Sequence, residues 1–172
     1  MGGSGRRTYL AIALGGLCWL GWLAPVLAIP HQETPEEWVE LGRRVHGGFG
    51  SYITLGIRIG LDARERLNAE PRELAVTYYS GAIAPCPCVV DGIMIATVAT
   101  PGQGSLQVAD RPSPPNTFGV AEIRHRGTGA TVRYVIPASA KPLLDEWNAT
   151  LNAAGRYDAV MGEPAERLFV VE

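Results

Sequence analysis

Cysteine, histidine, methionine and phenylalanine each occur only three times in 172 residues, and lysine once, at Lys141. Three cysteines, with Cys18 inside an N-terminal apolar run, exclude a disulfide-dense scaffold. The remaining two, Cys86 and Cys88, are not spaced as the Cys-x-x-Cys pair of common zinc modules. A basic face is missing as well: residues 1–28 hold two of the 15 basic residues and none of the 17 acidic ones, so the rest is net acidic by four. That balance argues against a nucleic-acid partner. There is no internal repeat, and the length suits one domain with a substantial core.

What is present starts with an export pattern. Arg6 and Arg7 precede "LAIALGGLCWLGWLAPVLA", and Val26 and Ala28 suit the −3 and −1 positions of a cleavage site. "GRRTYLAI" is similar to a twin-arginine signal peptide. Residues 1–28 are expected to be an export signal or a membrane anchor, directing the rest to the periplasm or cell envelope and making its only membrane contact.

Residues 29–45 form an N-terminal helix region. Thr34 is a helix N-cap with Pro35 at the first helical position, Glu37 completes a capping box, and Gly47–Gly48 end or bend the helix. "SYITLGIRIGLDARERLN" reads as a second helix, whose Gly56 and Gly60 predict close approach of another backbone. "RELAVTYYS" alternates as a strand. Pro87 opens a helix from about Cys88 to Ala99, "TPGQGS" is a turn, and "LQVAD" a short strand. In that turn Gly102 and Gly104 are expected to have backbone angles special to glycine, or to lie against a ligand. "TFGVAEIRHRGTGATVRYVIP" reads as a hairpin around Gly127–Gly129. "KPLLDEWNATLNAAG" is one final amphipathic helix with Leu143, Leu144, Trp147 and Leu151 on one face, and "ERLFVVE" adds a strand. The class is α+β, a mainly antiparallel sheet packed with helices in a single domain.

The chemistry concentrates in "APCPCVVDGIMIATVATPGQGSL". A thiolate at Cys88 would sit at a helix N-terminus, with Asp91 one turn later on the same face. With His46, this makes a Cys/Cys/Asp/His set whose residue types suit a four-coordinate divalent metal. The residues alone leave other readings open: a disulfide between Cys86 and Cys88, which is geometrically awkward because the usual Cα separation approaches the limit of so short a span, or cysteines acting as ordinary small core side chains. His125, between Arg124 and Arg126 in a strand, and His31, near the mature N-terminus, complete the histidines.

The order of these parts resembles the formylmethanofuran dehydrogenase FmdE family over residues 46–172. That family opens with His-Gly-His-x-Cys-Pro-Gly and runs into a helix with a later Gly and Arg; His46, Gly47, Gly56 and Arg58 fit. It continues with Cys-x-x-Asp, an apolar run and Gly-Cys-Thr-x-Gly-Lys-Gly-Asn-Leu; Cys88, Asp91, Thr100, Gly102, Gly104 and Leu106 fit. The departures fall on ligand-like positions: Gly48 and Gly50 replace a His and a Cys, Ala99 a Cys, and Gln103 a Lys. The resemblance implies an accessory, non-catalytic domain and not a complete oxidoreductase. The implied cleft has His46, Gly47, Asp91, Thr100, Gly102 and Gly104 as ligand-binding residues, and His46, Cys86, Cys88 and Asp91 as a metal set for zinc or another divalent transition metal. A small-molecule ligand and a homodimer are the expected partners. Two alternatives stand beside it: a periplasmic dithiol redox accessory protein, and a structural or partner-binding domain with a degenerate site.

Overall fold

Thr34 starts the first helix through the predicted reciprocal bonds. Its hydroxyl accepts from the Glu37 N–H and the Glu37 carboxylate accepts from the Thr34 N–H, closing the capping box of α1 (Pro35–His46). The structure, a computed structural model, describes residues 1–2 and 33–172. Apart from Met1 and Gly2, the expected export segment lies outside the described residues, as do Cys18 and His31. Gly47 ends α1 with φ 84°, a left-handed conformation that suits glycine.

α2 (Ser51–Leu67) follows directly. Its N-cap, Gly50, has no side chain to offer, so Asn148 caps it from far along the chain: Asn148 Oδ1 accepts from the Ser51 N–H at 2.8 Å. Ser51 Oγ donates to the Leu144 carbonyl at 2.7 Å. α3 (Cys88–Thr97) packs along α2 in the most extensive helix contact of the fold. A Cβ on Gly56 would stand 2.0 Å from the Val89 carbonyl oxygen, and one on Gly92 would stand 2.0 Å from that of Ile53. One turn on, a Cβ on Gly60 would stand 2.7 Å from that of Ala96. The glycines of α2 thus meet the predicted second backbone, a matching Gly–Ala pair of α3.

The sheet has the order β2-β1-β3-β4-β5, with β1 (Leu74–Ser80), β2 (Leu106–Val108), β3 (Thr117–His125), β4 (Thr131–Pro137) and β5 (Val170–Val171). β2 runs parallel to β1 and every other pairing is antiparallel, so the α+β class holds. Leu74, Val76 and Tyr78 of β1 register with His125, Ile123 and Ala121 of β3. These residues are buried with Val132, Tyr134 and Ile136 of β4 and with Ile57 and Ile93 of the helices. The opposite face carries the row Thr77, Glu122 and Arg133.

Two local expectations need correction, and a third holds at one of its two positions. The final helix is two: α4 (Lys141–Thr150) stops before an extended Leu151, and α5 (Ala153–Gly162) starts afresh. Asn152 is the reason, because its side chain accepts from the Gly155 N–H at 2.8 Å and caps α5. Of the anticipated stripe only Leu144 is completely buried. The helix beginning at Cys88 ends at Thr97 rather than Ala99, where Val98 turns left-handed at φ 56°. In the following turn only Gly104 has a positive φ, 62°, whereas Gly102 meets just one atom, Thr100 Oγ1, at 4.0 Å. Gly104→Ala is therefore expected to cost about 1 kcal/mol, and Gly102→Ala to stay within about 0.5 kcal/mol. Urea unfolding of the two variants side by side checks this; equal losses would remove the distinction.

Candidate functional site

The end of α1 abuts the start of α3, and this junction brings His46 and Asp91 together across 45 positions of sequence. His46 is the last residue of α1 and Asp91 stands in the first turn of α3. His46 Nδ1 lies 2.7 Å from Asp91 Oδ2, and each side chain is about one-third exposed. A carboxylate only accepts, so Nδ1 carries the proton and a neutral ring keeps Nε2 as an acceptor.

Beside the pair lies a cavity of about 240 Å³ whose lining includes His46, Phe49, Tyr52, Cys88 and Arg156. Its walls are held from three directions. Arg156 of α5 donates through Nη1 to the Phe49 carbonyl at 2.9 Å and through Nη2 to the Asn148 carbonyl at 2.8 Å, tying the loop after α1 to α4. Tyr52 stacks on Phe118 with ring centroids 5.0 Å apart and donates its hydroxyl to Asp145. Burial, followed by the Asp145 bond, pushes the Tyr52 hydroxyl pKa up, so the phenol stays neutral. The hydrogen bond from Lys141, followed by that from Tyr52, holds Asp145 below the usual carboxylate range.

Cys86 and Cys88 are joined by a disulfide with Cα atoms 5.2 Å apart. One intervening residue spans that separation, which lies inside the ordinary range. Cys88 is 7 % exposed and opens α3, whereas Cys86 is half-buried. The four residues of the expected metal set therefore stand as two pairs, His46 with Asp91 and Cys86 with Cys88. Among the described residues there is no group of three His, Cys, Asp or Glu side chains arranged to hold a metal ion.

The remaining expected ligand residues are split. Gly47 lies next to His46 as the cap of α1. Thr100, Gly102 and Gly104 follow the far end of α3, a helix of 10 residues that spans about 15 Å. Gly104 instead borders a separate cavity of about 480 Å³, floored by Thr77, Glu122 and Arg124 on the open side of the sheet. Thr100 caps the short turn Pro101–Gln103, its Oγ1 accepting from the Gln103 N–H.

Other polar residues prove structural. His125 is buried, and its Nδ1 accepts from the N–H groups of Gly127 and Thr128 at 3.0 and 3.2 Å. Its proton thus sits on Nε2, 3.5 Å from Glu73. Arg58 donates to the Val160 and Glu163 carbonyls, both at 2.6 Å, at the C-terminal end of α5. Arg156 and Tyr52 carry no motif that would have marked them, and the Asn-x-Thr pattern at Asn148 does not point to its role as a cap; these roles depend on partners 8 to 107 positions away.

A protein-family model described as "FmdE, Molybdenum formylmethanofuran dehydrogenase operon" matches residues 45–169, a span that includes every residue of this site. No curated protein matches the chain.

Proposed function

This chain belongs to the FmdE family, and from that premise we propose that it is an accessory, non-catalytic domain that binds a small polar ligand beside His46. The observation that carries the reading is the His46–Asp91 bond of 2.7 Å at the edge of the 240 Å³ cavity. Asp91 fixes the imidazole tautomer, and the cavity has room for a ligand of a few heavy atoms. Hydrogen-bonded walls keep that cavity in shape before any ligand arrives, which lowers the cost of ordering on binding. The disulfide removes both thiolates from competition for the space. A divalent metal such as zinc belongs to the same reading only after reduction, when cysteine sulfur joins the imidazole as a donor. Residues 1–28 would deliver the domain to the periplasm or cell envelope.

Calorimetric titration of the purified protein with formamide, whose N–H group can donate to Nε2, and of the reduced protein with zinc chloride, tests this function. His46→Gln is expected to weaken whichever probe binds by about tenfold or more, because it removes the oriented acceptor. Equal affinity in both proteins, or no binding of either probe, would reject it.

The disulfide favours a second reading, a dithiol redox accessory protein. Counting thiols in the native protein before and after reductant addresses it directly.

A further inference from the structure

We propose that Cys86–Cys88 exchanges with a protein dithiol, Cys86 being the sulfur attacked and Cys88 the sulfur released. This rests on the redox reading of the domain and assigns its partner and the roles of the two cysteines.

The two sulfurs differ in ways that set a direction. Cys88 is 7 % exposed and belongs to the core, whereas Cys86 is half-buried in the connection between β1 and α3. An incoming thiolate must approach along the S–S axis, and the more accessible end is Cys86. The leaving sulfur also has better support. Cys88 is the first residue of α3, and the helix start has no side-chain cap; the Val90 N–H is taken by the Pro87 carbonyl at 2.9 Å, so the helix dipole is the feature that favours a thiolate there. Asp91 in the same turn opposes a second negative charge, and its carboxylate is held by the hydrogen bond to His46.

The surroundings favour a polypeptide over a small charged thiol. From Gly81 to Val90 the chain has no charged residue. Ala82, Ile83, Pro85 and Pro87 are exposed around the disulfide, Ile83 at 44 %. An uncharged, apolar collar at the Cys86 end fits the backbone and apolar side chains flanking a protein cysteine pair, and the cation on the Cys88 side, Arg156, is already bonded to the Phe49 and Asn148 carbonyls and less open to the carboxylates of glutathione.

Atoms and electrons balance over two steps. A partner thiolate attacks Cys86 Sγ, the S–S bond breaks as the mixed disulfide forms, and the electron pair leaves on Cys88 Sγ. The partner's second thiolate then attacks the partner sulfur of the mixed disulfide and releases Cys86. The partner is oxidised by two electrons to its disulfide, and the two protons from its thiols end on Cys86 and Cys88. The same steps run in reverse with an oxidised partner.

The test uses the native protein with two probes, a reduced apolar peptide carrying Cys-x-x-Cys and reduced glutathione. Two thiols are expected to appear about tenfold faster with the peptide. Brief iodoacetamide labelling of the reduced protein, mapped by mass spectrometry, is expected to modify Cys86 about tenfold more than Cys88, because the 7 % exposure of Cys88 outweighs its favoured thiolate. With the oxidised peptide, Cys88→Ser should trap a mixed disulfide on Cys86, and Cys86→Ser should trap little. Thiols appearing only after denaturation would sink the redox reading itself. Exchange that proceeds but labels Cys88 first would overturn the assignment of roles and leave that reading standing. Equal rates for glutathione and peptide would reject the protein partner. The labelling needs no variant, so a misfolded substitution cannot decide the outcome.

Discussion

Gly56→Ala and Gly92→Ala are each expected to lower stability by about 3 kcal/mol, the overpacking range for a tight core. Each new methyl group would meet a carbonyl oxygen of the neighbouring helix at 2.0 Å, well inside van der Waals contact. Backbone cannot rotate aside as a side chain can. α2 and α3 must therefore separate, and the whole helix contact loosens with them, including buried Ile53, Ile57, Val89 and Ile93. Alanine's higher helix propensity returns about 1 kcal/mol and does not offset this. Gly48→Ala is the control, since nothing lies within 4 Å of its Cβ position. Urea unfolding measures all three. If the Gly56 and Gly92 variants match Gly48→Ala, the helices are not in backbone contact. Because α3 also positions Asp91 and Cys88, both variants should disturb the His46–Asp91 pair, read as a change in the histidine ring resonances.

Arg156→Ala is expected to cost about 2–4 kcal/mol, since it leaves part-buried carbonyls of Phe49 and Asn148 without their charged donor. Arg156→Lys should recover little of this loss. An ammonium lacks the planar fork that reaches two carbonyls at once. The loss is local as well as global: Phe49 lies against the cavity, and the loop from Gly47 to Gly50 connects His46 to α2. Ligand affinity should therefore fall together with stability in Arg156→Ala, whereas in His46→Gln affinity should fall with stability nearly intact. Denaturation midpoints compared with titration affinities separate the two patterns. An Arg156→Ala protein of unchanged stability would show that the α5-to-loop tie contributes nothing.

Local chemistry was readable wherever its causes are local. Thr34, Pro35 and Glu37 determine the start of α1 because the reciprocal cap lies within four residues. The hairpin of β3 and β4 follows from strand alternation around a glycine-containing turn. Gly56 and Gly60 announced a close neighbour because a helix carries two glycines in its interior only at a cost that packing must offset. Family motifs marked His46 and Asp91, and the structure brings them into contact. Asn152 is a readable cap that a continuous apolar pattern concealed, which is why two helices resemble one in sequence.

Tertiary structure alone decided the rest. Which backbone faces Gly56, which arginine grips the loop after α1, and which side chain caps α2 all depend on partners far along the chain, and sequence spacing contains no distance between them. The single cleft implied by the family motif divides for a simple geometric reason. His46 and Asp91 stand at one end of α3 while Thr100, Gly102 and Gly104 follow the other, and a rigid helix keeps its two ends apart. Likewise, one intervening residue permits Cys86 and Cys88 either to bond or to stay apart, and the turn leading into α3 sets their Cα atoms at a bonding separation.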